Sequence, residues 1–293
     1  MFEPPLRPNS CSDMRDDVSI TTLVENSVNI AGLRAEHGLS FLIRVGGKKL
    51  LFDTGQSDLL LQNAQKMGLF LDDVDAVVLS HGHYDHTGGI EAICQASPQV
   101  KICAHPAVLP PKFAANSDGT SRFVGLSPNA VETMRESVIR TTWTAKPTEV
   151  LPGFFVTGEI PRTNAFEDTG GRFFLDGSCT RPDPLLDDQA LYFDTKKGVV
   201  VVLGCAHAGV VNTLDYVSHL TNGRQLETII GGMHLGGAGP GRLKATIEAF
   251  RRLAPEHLHA SHCTGIAAIA QMMTALPGSC STCPVGTNLT FCR

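Results

Sequence analysis

The sequence predicts an α/β fold built as sheets covered by helices on their outer faces. Two observations carry that expectation. Strand-like and helix-like runs alternate along the chain in two successive sets. Hydrophobic residues make up 42% of the 293 positions and charged residues 18%, enough apolar material for a sizeable packed core and too much for a disordered chain. No internal repeat and no low-complexity segment interrupts the alternation.

The elements follow in order. Residues 1–16 read as a loose polar arm. Runs 41–45 and 49–52 flank Gly46-Gly47, a hairpin signal. A helix is expected over 58–67, with Ser57 as N-cap and Gly68 beyond its end. The run 74–79 is short, β-rich and apolar, which predicts a buried strand, and 88–95 reads as helix. Residues 106–152 hold several prolines, a polar stretch and one helix begun by Ser127-Pro128, and are expected to be an insertion covering a site. Strands are expected at 154–157, 190–194, 198–203, 226–230 and 257–260. Helices are expected at 243–253 and 266–276.

Charge and composition narrow the function. The net charge is −5 and no basic stripe is present, which argues against nucleic acid as a partner. No run reaches the roughly 20 apolar residues that span a bilayer, so no membrane partner is expected. The N-terminal stretch lacks the apolar middle of an export signal, and a cytoplasmic location is the expectation. Nine cysteines, at 11, 94, 103, 179, 205, 263, 280, 283 and 292, are then expected as reduced thiols. The CxxC pair Cys280 and Cys283 reads as a surface turn with two thiols.

The chemistry concentrates directly after the 74–79 strand, in His81-Gly82-His83-Tyr84-Asp85-His86. Imidazole and carboxylate ligate zinc and divalent iron or manganese. Four such groups in six residues would be costly to desolvate together, and a metal offsets that cost. His207 and His262 stand at later strand ends, where α/β sites form. His234, also at a strand end, reads as a general acid or as a donor to a substrate oxygen, with metal ligation as the other option. Arg162, after Pro161, can clamp a phosphate or carboxylate or form a surface ion pair. Asp53 and His37 read as supporting groups, Asp53 orienting a liganding histidine.

Ser80-His81-Gly82-His83-Tyr84-Asp85-His86-Thr87-Gly88-Gly89 resembles the HxHxDH signature of the metallo-β-lactamase fold superfamily. Leu51-Phe52-Asp53-Thr54-Gly55 resembles its first motif, and the likeness runs from about Ser19 to about Thr290. The resemblance implies a four-layer αββα sandwich over residues 17–293. It also implies a dinuclear metal site at one edge between the sheets, with zinc the first choice and iron or manganese the alternatives. His81, His83 and His207 would hold the first metal, and Asp85, His86 and His262 the second. The implied activity is hydrolysis of a phosphoester or similar bond in an anionic small molecule by a bridging water, with Asp85 orienting it. The superfamily's bridging aspartate is replaced here by Cys205, and Cys205, His207 or Asp188 is left to fill the gap, or water alone bridges the metals. The segments around His37, Arg162, Asp188, His207, His234 and His262 resemble a branch described as dihydropterin-linked ribofuranosylaminobenzene 5′-phosphate synthase-like, which implies a pterin-related phosphate. A metal-containing binding or redox protein with little hydrolytic activity is the other expectation.

Overall fold

A computed structural model describes residues 17–293; the arm expected at 1–16 lies outside the described residues. Two seven-stranded sheets dominate. The first runs in the order Asn288–Phe291, Val18–Val24, Ser40–Val45, Lys48–Phe52, Ala76–Val78, Lys101–Ala104, Thr141–Trp143. The second runs Cys280–Thr282, His257–Ser261, Leu226–Gly232, Val199–Leu203, Leu191–Asp194, Phe154–Val156, Thr148–Leu151.

Three apolar clusters fill the spaces between layers. One lies between the sheets and joins Phe41, Phe52 and Val78 of the first to Phe154, Phe193 and Val202 of the second. Another packs Leu42, Leu51 and Val77 under Leu60, Ile90, Ile93 and Met134, all helical or at helix starts. The third packs Val201 and Ile229 against Leu214, Phe250 and Met272 from three other helices. Helix, sheet, sheet, helix: the fold is the four-layer sandwich. Val199–Leu203 explains its own apolar run, since alternate residues enter two different clusters and no face meets water.

Most predicted elements sit within a residue or two of their expected positions. Ser127 caps the Pro128–Glu136 helix, accepting from the Ala130 amide at 3.1 Å. The helix expected at 88–95 is Ile90–Ala96, and a separate short helix, Tyr84–Thr87, precedes it within the histidine loop. The break lies at Gly88, where a Cβ would stand 2.0 Å from the Gln56 carbonyl oxygen. The Val210–Leu220 helix was not predicted, although Val210, Leu214 and Val217 repeat at helical spacing and are fully buried. The CxxC reading is corrected. Cys280 opens a strand and Cys283 packs in the inter-sheet core with its sulfur 3.2 Å from Thr22 Oγ1, so neither thiol lies in a surface turn.

Segment 106–152 is divided. Thr141–Trp143 joins the first sheet and Thr148–Leu151 the second. Phe113–Ala115 and Ser121–Phe123 pair instead with Phe173–Phe174 in a small three-stranded sheet. No helix of the described residues is long and apolar enough to cross a membrane.

Candidate metal centre

The functional side chains leave the C-terminal ends of parallel strands, as expected for sites on such sheets. In the first sheet, Lys48–Phe52 delivers Asp53 and Ala76–Val78 delivers the histidine loop; the two strands pair in parallel. In the second, Val199–Leu203, Leu226–Gly232 and His257–Ser261 also run parallel. They deliver Cys205 and His207, then His234, then His262 and Cys263. One edge of the sandwich therefore collects all of them.

Overlapping groups of possible metal donors result, and two of them make candidate ligand sets. His81, His83 and His207 each place a ring nitrogen within 4.8 Å of the others. Asp85 and His262 form a second set, with Asp85 Oδ2 3.2 Å from His262 Nε2 and 3.8 Å from His86 Nε2. His86 Nε2 lies 3.2 Å from His262 Nε2 and 3.2 Å from Cys205 Sγ. His37 completes this group, its Nε2 3.1 Å from Asp85 Oδ2.

The rings are oriented from behind. His86 Nδ1 lies 2.7 Å from Asp53 Oδ2, His207 Nδ1 2.7 Å from the Thr169 carbonyl, and His262 Nδ1 2.8 Å from Asn26 Oδ1. His81 Nδ1 meets Ser80 Oγ at 2.9 Å, and that hydroxyl donates to Asp53 Oδ2 at 2.7 Å. Each partner can accept a hydrogen bond from Nδ1–H, which leaves the Nε2 lone pair facing the cleft. Asp53 is the hub, fully buried and at φ 61°, and it also accepts from the Ser80 amide. Gly204 leaves room for it, since a Cβ there would sit 2.0 Å from Ser80 Oγ.

These donors fit divalent cations. The Nε2 atoms of His83 and His207 are buried and lack a hydrogen-bond partner. A buried polar atom left unpaired costs about 1–3 kcal/mol, which coordination removes. Burial, reinforced by the neighbouring imidazoles, holds His81 and His207 well below the usual histidine range, and burial pushes His83 down to about 3. All three are thus neutral and offer lone pairs to a cation. Burial also works against a charge on His86, but Asp53 and Asp85 overcome it and raise that ring to about 9. Burial opposes ionisation of Asp85, yet His86, His262 and His37 hold its carboxyl well below the usual range.

His207 and His262, placed at strand ends by the sequence, meet the histidine loop here. His234 lines the same cleft, its ring 4.4 Å from that of His207, with a buried Nδ1 that has no partner. Arg162 is elsewhere: its guanidinium donates to the Pro184 and Leu185 carbonyls, and it lines a separate surface cavity. Asp188 belongs to neither ligand set. Its carboxylate accepts from the Ala208 amide at 2.8 Å, and burial raises it to about 6, so it braces the His207 loop. Cys205 is the group that stands beside His86.

Sequence reasoning missed three contributors. Cys263 lies with Cys205 and His234 in a further close group of donors. His37 was read only as support. Lys112 is fully buried, 2.8 Å from Asp183 and 3.0 Å from Asp187, and Asp187 in turn accepts from the Gly82 amide at 2.7 Å. The ion pairs thus fix the turn between His81 and His83.

The metallo-beta-lactamase superfamily model matches residues 33–241. The chain belongs to that superfamily. The 7,8-dihydropterin-6-methyl-4-(beta-D-ribofuranosyl)-aminobenzene-5'-phosphate synthase of Methanocaldococcus jannaschii is 30% identical over 268 residues, covering 86% of this chain and 90% of that protein. An uncharacterized protein of the same organism is 28% identical over 242 residues, 81% of this chain and 88% of its own length. Among solved structures, Tm1679, described as a metal-dependent hydrolase of the beta-lactamase superfamily, superposes with a TM-score of 0.78 at 29% identity. That match covers 93% of this chain and 98% of Tm1679. YhfI of Bacillus subtilis, at 15% identity and a TM-score of 0.56 over 94% of this chain and 99% of its own, shares the fold. The HxHxDH loop of this superfamily member is the segment that contributes to both candidate ligand sets.

Proposed function

We propose that the chain is a hydrolase that uses two divalent cations to cleave a phosphoester or similar bond in an anionic small molecule. The observation that carries this reading is that His81, His83, Asp85 and His86, from one six-residue loop, enter three groups of possible metal donors completed by His207, Cys205, His37 and His262. Zinc is the preferred cation, because imidazole nitrogen and a nearby thiol suit it, with iron or manganese as alternatives. Two such ions, when bound, supply a water acidified toward neutral pH and a positive field for developing negative charge.

The chain's own residues do the rest. Neutral His81, His83 and His207 present lone pairs. Asp85, ionised between three imidazoles, orients the attacking water and accepts a hydrogen bond from it. His234 lines the same cleft, its ring 4.4 Å from that of His207, and donates to a substrate oxygen as charge grows on it. Phe173 lies over the imidazoles, its ring 4.8 Å from His83 and 5.2 Å from His207, and limits water access. The cleft volume of about 290 Å³ suits a small molecule. A relative named for a pterin-linked ribofuranosyl phosphate supports a pterin-related phosphate as the substrate.

The test is metal analysis of purified protein beside a panel of phosphomonoesters, phosphodiesters, lactones and thioesters. His83→Ala and Asp85→Ala are each expected to lose metal and activity together. Full turnover with unchanged metal content in both variants overturns the reading. The thiol at Cys205 favours one competitor, a metal-containing binding or redox protein. Tight metabolite binding with no hydrolysis across the panel would decide for it.

A further inference from the structure

Arginine partners divide sharply in this chain. Every other arginine among the described residues has a hydrogen-bond or ion-pair partner for its guanidinium. Arg122 and Arg172 have neither, and both line the metal cleft. An exposed arginine is ordinarily a solvated surface group. Two of them left without acceptors at the mouth of one cleft, in a chain of net charge −5, form a local positive site.

The small sheet places them. Phe173 pairs with Ala114, and Ala114 with Arg122, so these three form one row across the strands. Residues in register across neighbouring strands project from the same face. Ala114, the middle member, carries only a methyl group and leaves the space between Phe173 and Arg122 open. Arg172 directly precedes Phe173, and its carbonyl accepts from the Ala115 amide at 3.0 Å, which ties it to the same sheet. Its guanidinium stands 6.0 Å from the Phe174 ring centre. Phe173 itself leans on His83 and His207, so the cleft runs from the imidazoles, past an aromatic ring, to the two cations.

We infer that Arg122 and Arg172 clamp the phosphate dianion of a small ring-bearing substrate at the cleft mouth, with its ring over Phe173 and its reacting bond toward the imidazoles. Two guanidinium forks match a dianion in charge and in geometry, each offering paired N–H donors to phosphate oxygens. The clamped phosphate is a handle, not the reacting group, because Phe173 stands between it and the ligand sets. The inference rests on the cleft being the reacting site, and it makes these two arginines, rather than Arg162, the determinants of specificity.

Binding of phenyl phosphate, phenol and benzoate to the protein as purified tests it by calorimetry. Arg122→Gln and Arg172→Gln are each expected to weaken phenyl phosphate about tenfold, the effect of losing roughly 1.4 kcal/mol of charged hydrogen bonding. Phenol binding is expected to be unchanged, benzoate to lose less than phosphate, and Arg162→Gln to behave as wild type. A second readout is phenylglyoxal labelling mapped by peptide mass spectrometry, in which phenyl phosphate is expected to protect Arg122 and Arg172. Unaltered phenyl phosphate affinity in the double variant, or protection that maps to Arg162, overturns the clamp. The two proposals fail separately. Arginine-dependent binding without hydrolysis of any ester removes the hydrolase and leaves the clamp. Ester hydrolysis whose KM for phosphorylated substrates ignores both arginines removes the clamp and leaves the hydrolase.

Discussion

His81, His83 and His207 sit in a closed, neutral setting, whereas Asp85, His86 and His262 sit among carboxylates and thiols beside the half-exposed His37. The same six-residue loop feeds both. Burial, reinforced by the neighbouring imidazoles, dictates the state of the first set and keeps its rings neutral. In the second, the carboxylates Asp53 and Asp85 override burial and raise His86. The lesson is that ligand identity does not fix the character of a metal position; the charges packed behind the ligands do.

Four substitutions break or sharpen that contrast. The largest effect is expected from Lys112→Met, which leaves Asp183 and Asp187 buried without their cation. Loss of one member of a buried ion pair typically costs about 3–5 kcal/mol, to be read from urea unfolding. Because Asp187 holds the Gly82 amide, the damage to metal retention is expected to concentrate on the first set. Asp53→Asn acts on the other side. Removing the carboxylate behind His86 is expected to weaken metal at the second set about 10–100-fold, measured by chelator competition. Equal losses at both sets would show that the contrast is not set by Asp53.

Cys205→Ser addresses the thiol. Exchange of sulfur for oxygen is expected to cost the second set about tenfold in preference for cadmium and zinc over manganese, since soft cations favour sulfur. A metal-competition series that is identical in both proteins would separate Cys205 from the ions. His37→Asn is expected to do least, a few-fold loss of second-set affinity at most. Its side chain is 54% exposed, and solvent screens its pairing with Asp85.

Much of this was legible in the residues. Strand and helix periodicity located most elements because a strand buried on both faces reads as an unbroken apolar run, as Val199–Leu203 does. The Val210–Leu220 helix is less legible although its apolar spacing is present, because it starts after Gly209 with no side-chain cap and no acidic residue in its first turn. The histidine loop announced itself because its ligands are contiguous. His37, Cys263 and Lys112 did not, because each is a lone polar residue whose partners lie far along the chain. Arg162 stands after a proline in a short motif, but its guanidinium serves two backbone carbonyls, a role that depends on a loop more than twenty residues away.

The sequence by itself determined the layer type and the cluster of imidazoles and carboxylate at His81–His86, since both follow from periodicity and from ligands only a few residues apart. Only the tertiary structure decided which distant groups join them. Cys205 beside His86, Asn26 behind His262 and the row from Phe173 to Arg122 depend on which strands lie adjacent and in what register. Register is a property of two segments packed together, and neither segment encodes it alone.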